Sequence, residues 1–348
     1  MTALDIQRDI PLAPLTTLEL GGPARFFTRV TKEDALVQAL RWAREEGVSV
    51  AVLGGGSNTI VPDAGYPGLV IHMGIDALEL EGEGVVRVGA GVPWERVVDA
   101  AVVADWAGVE CLTGIPGSTG ATPIQNVGAY GQEVSEVIES VRVVDRKSLE
   151  ALELTKDQCD FEYRDSLFKR TPKRYIVTQV RFALRPGGAA TIRYAELMRH
   201  VDKGASLALV RGAVLELRRR KSMVIEPEDA NRRSAGSFFL NPIVPAVEAE
   251  RVAAQAVRDA LVKRPEDVPR YPTDSGTVKL AAGWLIENSG VAKGTTRGPV
   301  GVSSRHALAL VHHGGGTTSE LLAFADEVRD RVRDRFGVEL EREPRLLA

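Results

Sequence analysis

Cysteine is nearly absent: Cys111 and Cys159 are the only two, without the spacing of a metal site or a disulfide framework. That usage fits reduced thiols in a cytoplasmic setting. Histidine is scarce as well, five scattered residues with no Cys/His cluster, so no metal is expected. No apolar run approaches the ~18–20 residues that cross a bilayer. The opening Met1–Ile10 lacks the basic start and apolar core of a signal peptide, so neither membrane insertion nor export is expected. A surplus of one charge sign is missing too. The net charge of −3 argues against nucleic acid as a partner and leaves any anionic substrate to a few placed cations. At 348 residues the chain exceeds the ~250–300 at which one core stops growing, so two or three domains are expected.

Glycine is plentiful and concentrated. Gly114–Gly131 holds five glycines and two prolines among small residues. Each glycine costs a helix roughly 1 kcal/mol and an interior proline about 3, so this stretch is not helical. It also exceeds the ~12–15 residues beyond which an unstructured loop is usually functional or disordered. Ile115, Ile124, Val127 and Tyr130 give it apolar anchors, which argues against disorder. Glycines let a backbone approach a ligand and let successive N–H groups converge on an anion. The stretch reads as a pyrophosphate-binding loop, the alternative being a glycine-rich connector packed under a sheet. A second such loop, Gly54-Gly55-Gly56-Ser57-Asn58, empties from the apolar strand Val48–Leu53. Its spacing is not Gly-x-Gly-x-x-Gly opening a helix, which disfavours a Rossmann site.

The remaining chain reads as α+β. After an extended lead-in from Leu15 to Gly22, Thr31–Asp34 caps a helix that buries Leu36, Leu40 and Ala43 and stops at Gly47. Leu69–Met73, Val85–Val88, Val141–Val144 and Tyr175–Leu184 read as strands, and Trp94–Ala107 as a helix opened by Pro93. Arg218–Lys221 and the polar run Glu226–Ser234 suggest a boundary or hinge. Ala246–Val262 and Ala281–Asn288 read as helices. Thr317-Thr-Ser-Glu320 is a capping box for a last helix with a stripe from Leu321 to Phe336, ending at Gly337.

Six separated motifs occur in one order: Leu53-Gly-Gly-Gly-Ser-Asn58, Ile115-Pro-Gly-Ser through Pro123–Gly131, Phe161-Glu-Tyr-Arg-Asp-Ser166, Ala235-Gly-Ser-Phe-Phe239 with Asn241-Pro242, Lys279-Leu-Ala-Ala-Gly-Trp284, and Leu340-Glu-Arg-Glu343. Over about Leu15 to Arg345 the chain resembles the UDP-N-acetylenolpyruvoylglucosamine reductase family, flavoenzymes of bacterial cell-wall precursor synthesis. Tyr271–Trp284 is similar to the longer form, which carries a tyrosine-bearing substrate loop. The resemblance implies an FAD-binding fold of the vanillyl-alcohol-oxidase (PCMH) type in two subdomains, expected at 1–70 and 71–220. A substrate-binding α+β domain at 221–330 and a tail at 331–348 returning to the active site complete the expectation. It further implies a monomer that reduces UDP-N-acetylglucosamine enolpyruvate with NADPH. A nucleotide-sugar binder without redox activity, or a flavin oxidase of the same fold, are the other readings kept.

By the same resemblance, Gly54, Gly55, Gly56, Ser57, Asn58, Ile115, Pro116, Gly117, Ser118, Gly120 and Ala121 meet the FAD pyrophosphate. Gln125, Asn126, Gly128, Ala129, Tyr130 and Gly131 would flank its ring. Neither loop contains histidine, so the flavin is expected to be noncovalent. Ser237 matches the family's proton donor, and Arg164 and Glu343 its carboxylate partners; without the match Arg164 would read as a surface salt bridge to Asp165. Glu343 beside a carboxylate helps only if it is protonated, which requires a raised pKa. Tyr163, Tyr194, Lys221, Asn241, Tyr271, Lys279 and His306 match the substrate side. Lys221 is expected to reach inward alone, with the neighbouring arginines on a solvated helix face. His312 and His313 read as loop residues. Leu240 and Pro344 depart from the family pattern, and Pro344 puts the aim of Glu343 in doubt.

Overall fold

Two sheets form in the first half of the chain. The computed structural model describes residues 4–273 and 275–347. Gln7–Pro11, Pro23–Val30, Tyr66–Met73 and Val50–Leu53 lie side by side in that order, the first pair antiparallel and the other two pairings parallel. Parallel strands need a crossover, and the helix Glu33–Glu45 supplies the one from Pro23–Val30 to Val50–Leu53. Its N-cap is Lys32 rather than Thr31, and it makes no side-chain cap; Glu33 and Asp34 instead place negative charge at the helix N-terminus. The second sheet is antiparallel, in the order Ala151–Thr155, Ile138–Asp145, Tyr175–Ala183, Val85–Gly89, Leu78–Gly82.

One hydrophobic cluster runs through both sheets, from Phe26, Leu36 and Ile71 to Val141, Val180 and Phe182. The two sheets therefore share a core. The boundary expected at 70/71 falls inside the strand Tyr66–Met73, and the chain passes between sheets just after it. The helix expected to reach Ala107 stops at Val103, because Asp105 adopts a left-handed φ of 57° and Trp106–Ala107 pairs with Arg185–Pro186.

The helix Leu207–Arg220, capped by the Ser206 side chain, closes this half. Its last turn corrects the reading of Arg218 as solvated: the residue is only 7% exposed. The second half has two small sheets, Ile243–Pro245/Thr277–Leu280/Arg270–Pro272 and Thr296–Arg297/Val300–Val302/Leu310–His312. The helices Ala246–Arg258, Ala282–Asn288 and Thr318–Phe336 cover them. The first ends short of Val262 because Ala260 turns left-handed, φ 55°. The third has the expected capping box between Thr317 and Glu320 and ends on Gly337, φ 65°; the boundary expected at 330/331 lies inside it, and the returning tail begins at Val338.

Leu18, Leu20 and Ile60 of the first half belong to the core of the second, beside Phe238, Phe324 and Phe336. Polar groups fasten the same junction. Asp63 accepts the backbone N–H groups of Thr318 (2.7 Å) and Ser319 (2.9 Å), and Glu19 pairs with both Arg232 and Arg233.

Candidate active site

The two glycine loops lie against each other. A Cβ on Gly54 would strike the Ser118 side chain, one on Gly55 would lie 2.7 Å from the Gly117 Cα, and one on Gly117, φ 115°, 2.6 Å from the Ser57 Oγ. Ser57 Oγ donates to Pro116 O at 3.0 Å and ties the pair. The amides of Gly55, Gly56, Ser57, Gly117 and Ser118 find no protein acceptor among the described residues. Backbone donors left over in this way are satisfied by water or by a ligand, and five on two abutting loops suit an anion such as a pyrophosphate.

The loops open on a cleft of about 740 Å³. Gly54–Asn58, Ile115–Ser118, Gly120, Ala121, Gln125, Gly128 and Ala129 line it, with Val50–Val52, Arg146 and Tyr175–Val177. Arg164, Arg218, Ala235–Ser237 and Glu343 line it as well. An extended cleft with a backbone anion cradle and apolar walls fits FAD. A second depression, about 820 Å³, lies over the antiparallel sheet, but its Arg87, Arg142 and Arg181 are engaged by Glu81, Glu33 and Glu139. It offers no comparable cradle.

Arg164 occupies a tight turn closed by the Glu162–Asp165 bridge and is itself left-handed, φ 54°. Its Nη1 donates to Asn126 O (3.1 Å) and its Nη2 to Gly128 O. Lys169 Nζ caps the Arg164 carbonyl at 2.8 Å. Asp165 pairs with Arg170, so the surface salt bridge to Arg164 does not form. Ser237 follows the left-handed Gly236, and Phe238 N donates to Leu308 O at 2.7 Å. The tail then runs beside this segment: Leu240 N donates to Glu341 O (2.9 Å) and Glu343 N to Phe238 O (3.0 Å). Glu343 thus stands next to Ser237. Burial pushes its carboxyl pKa up, while the charges of Arg164 and Lys169 pull the other way. Pro344 fits without strain on the ladder: Glu343 and Arg345 supply the amides, to Phe238 O and Asn58 O, and the residue between them needs none.

The FAD binding domain family model matches residues 24–149, and that for the UDP-N-acetylenolpyruvoylglucosamine reductase C-terminal domain matches 227–347. A reductase of that name from Thermobifida fusca is 47% identical over 352 residues, covering 98% of this chain and 97% of the relative. Another, from Streptomyces avermitilis, is 46% identical over 343 residues, covering 97% and 93%. The chain belongs to the UDP-N-acetylenolpyruvoylglucosamine reductase family. The crystal structure of the reductase from Thermus caldophilus superposes with a TM-score of 0.68 at 25% identity, covering 99% of this chain and all of that one. The flavin half is accordingly of the PCMH type.

Of the cofactor positions matched by sequence, three do not line the cleft. The Asn126 side chain is buried, donating to Glu133 and Glu162 O and accepting from Ser135 N, and only its backbone carbonyl serves Arg164. Tyr130 packs edge-on against Tyr194, and Gly131 lies against Arg193. Their left-handed backbones shape the loop rather than its surface. Asn58 does reach across, donating to Gln125 Oε1 at 2.9 Å.

The substrate-side residues form two neighbouring groups. Lys279 Nζ sits 4.2 Å from the Tyr163 ring centroid and 5.9 Å from that of Tyr271, so the ammonium is held between two exposed aromatic faces. Asn241 Oδ1 accepts from Ala282 N at 2.9 Å, which starts the helix Ala282–Asn288. Its side chain is thus at least partly structural. Tyr194, 44% exposed, leads to Lys221, which pairs with Glu196 at 2.6 Å, and to His306, whose pKa falls to about 4 through burial and the nearby Lys221, Arg218 and Lys293. Burial raises the Tyr194 pKa, and the nearby Glu196 and Tyr271 add to the shift. Arg218, read from the sequence as solvated, lines the cleft instead; it reaches the site through the packing of its helix rather than through a motif.

Proposed function

We infer that the chain reduces UDP-N-acetylglucosamine enolpyruvate to UDP-N-acetylmuramate with NADPH, through noncovalently held FAD, in the making of peptidoglycan precursors. The observation that carries this reading is the one cleft that joins five unpartnered loop amides to Ser237, Arg164 and Glu343. No histidine or cysteine among the described residues lines that cleft, which supports a noncovalent flavin. Both cysteines are buried and unpaired, in keeping with a cytoplasmic setting, and one chain supplies every group of the site, so a monomer suffices.

A bound flavin would accept a hydride from NADPH and return one to the β-carbon of the enolpyruvyl group. Charge then builds on the α-carbon and its carboxylate. Arg164, with its guanidinium pinned to two loop carbonyls, meets that charge without reorganising. Glu343, held protonated more readily than an ordinary glutamate, donates to the same carboxylate instead of repelling it. Ser237 gives its proton to the α-carbon, a step its weak acidity allows because the carbanion is strongly basic. Lys279 and Lys221 supply compact cations for the diphosphate, and Tyr163, Tyr194 and Tyr271 supply faces for the uridine and sugar.

The purified protein should therefore be yellow, be bleached by anaerobic NADPH, and regain colour when the enolpyruvyl nucleotide is added. A colourless protein that FAD does not reconstitute would point to a binding protein. Rapid recolouring by air alone would point to an oxidase.

A further inference from the structure

Lys169 lies outside the lining of the cleft, yet it is bonded to both of the elements that bring Arg164 and Glu343 there. It belongs to the short helix Leu167–Arg170. Ser166 caps that helix by accepting the Lys169 amide at 3.3 Å, and its Oγ donates to Ile124 O of the long glycine loop at 2.6 Å. Phe168 anchors the same turn in the core. Side chains on a helix lean toward its N-terminus, and from position 169 the ammonium turns back to the Arg164 carbonyl, 2.8 Å away. On its other side the Lys169 carbonyl accepts from Arg345 Nη2 at 3.2 Å. Arg345 stands two residues beyond Glu343, on the strand that the tail forms against Thr59–Ile60. Arg164 is left-handed, φ 54°, a conformation that strains a residue with a Cβ and lasts only where the surroundings hold it. Among the described residues no carboxylate comes within ion-pair distance of the ammonium, and Asp165 on the same turn is taken by Arg170. The charges of Arg164, from the turn, and of Lys169, from the helix, both reach Glu343 and oppose the rise that burial imposes on its pKa.

We propose that Lys169 is a positioning residue for reduction of the substrate: it clamps the Arg164 turn to the tail, so that the guanidinium and the Glu343 carboxyl meet the enolpyruvyl carboxylate as one preset pair. This rests on the reading above that the cleft reduces an enolpyruvyl ether. The clamp brings its own positive charge to that pair, and so acts on both the aim of Arg164 and the proton of Glu343. Its effect belongs to the second half-reaction. NADPH carries no enolpyruvyl carboxylate, so hydride transfer from it does not draw on the pair, whereas charge building on the substrate does. Misplacing a preset charge by a fraction of a bond length is enough to cost rate steeply.

The test is anaerobic stopped-flow across pH on the holoenzymes of Lys169→Met and Lys169→Arg, with the two half-reactions followed separately. In Lys169→Met, NADPH should reduce the flavin within about twofold of the parent rate, while the enolpyruvyl nucleotide should reoxidise it at least about tenfold more slowly. Removing a positive charge near Glu343 favours its protonated form, so the alkaline fall of reoxidation should move to higher pH. Lys169→Arg keeps the charge and the donors. It should recover most of the reoxidation rate and leave the alkaline fall where the parent has it. A lysine that only supports the fold would slow both half-reactions alike and leave the pH profile in place; that result, or undiminished reoxidation, would overturn the proposal. Should Lys169→Met fail to hold flavin, Lys169→Gln decides, because it offers the Arg164 carbonyl a donor without the charge. Its alkaline fall should also move to higher pH, and an unmoved fall overturns the proposal. A parent protein that NADPH reduces but the enolpyruvyl nucleotide does not reoxidise defeats the functional reading itself, a failure visible before any substitution is made.

Discussion

Glu343 carries the sharpest conflict between stability and chemistry. Its carboxyl is drawn into the cleft by the bond from its own amide to Phe238 O, and burial raises its pKa above the ordinary 4.5 despite Arg164 and Lys169. The native chain therefore binds this proton more tightly than the unfolded chain does. Stability falls as pH rises from the unfolded pKa through the folded one. Glu343→Gln removes that titration. In thermal melts of the apoprotein the variant should be the more stable one above the folded pKa, and the advantage should vanish below about 4.5. Melting curves that shift in parallel at every pH would show that the carboxyl carries no penalty. In the holoenzyme the same substitution should flatten the alkaline fall of flavin reoxidation by substrate, because an amide donates a hydrogen bond at any pH.

At the scale of elements, the glycine loops do most of the positioning. Gly117 has φ 115° and would place a Cβ 2.6 Å from the Ser57 Oγ, so Gly117→Ala must part the loops or strain the backbone. With strain of roughly 1–2 kcal/mol, FAD should be released about tenfold more readily, while the fold itself persists. Fluorescence of free flavin during dilution measures this, and unchanged retention would remove the cradle from the account. These loops were legible because glycine and proline leave few alternatives in a stretch of that length. Other elements were not. Pro23–Val30 escaped notice because Arg25 and Arg29 interrupt its apolar run on the exposed face. Arg218 read as solvated because four consecutive basic residues look alike, and only the packing of the helix Leu207–Arg220 on Gly114 and Met223 separates the buried one. Asn126, Tyr130 and Gly131 matched the family pattern, yet their side chains or Cα atoms serve the loop's own turns. Pro344 looked disruptive in the sequence, but it falls where the tail requires no N–H.

The whole molecule is held together by ties that also assemble the site. Asp63 of the first half caps the helix Thr318–Phe336 of the second, and Glu19 secures Arg232 and Arg233, three and two residues before Ala235. The strand Arg345–Leu346 pairs in parallel with Thr59–Ile60 directly after the first glycine loop. Cofactor loop and Glu343 are consequently set by one ladder. Asp63→Ala should cost about 1 kcal/mol, the usual worth of a helix cap. The bonds from Thr318 and Ser319 hold the Asp63 pKa below its ordinary 3.8, so its contribution is present above that value and is lost as pH falls through the folded pKa. Denaturant titrations of parent and variant should thus converge in acid; a difference independent of pH would assign the effect to packing alone.

The most direct test of the central claim, that Ser237 protonates the carbon opposite a flavin-delivered hydride, is anaerobic stopped-flow on Ser237→Ala with the two half-reactions followed separately. NADPH should reduce the flavin at close to the parent rate, and the enolpyruvyl nucleotide should reoxidise it at least ~10²-fold more slowly. Equal loss in both halves, or undiminished reoxidation, would contradict the account.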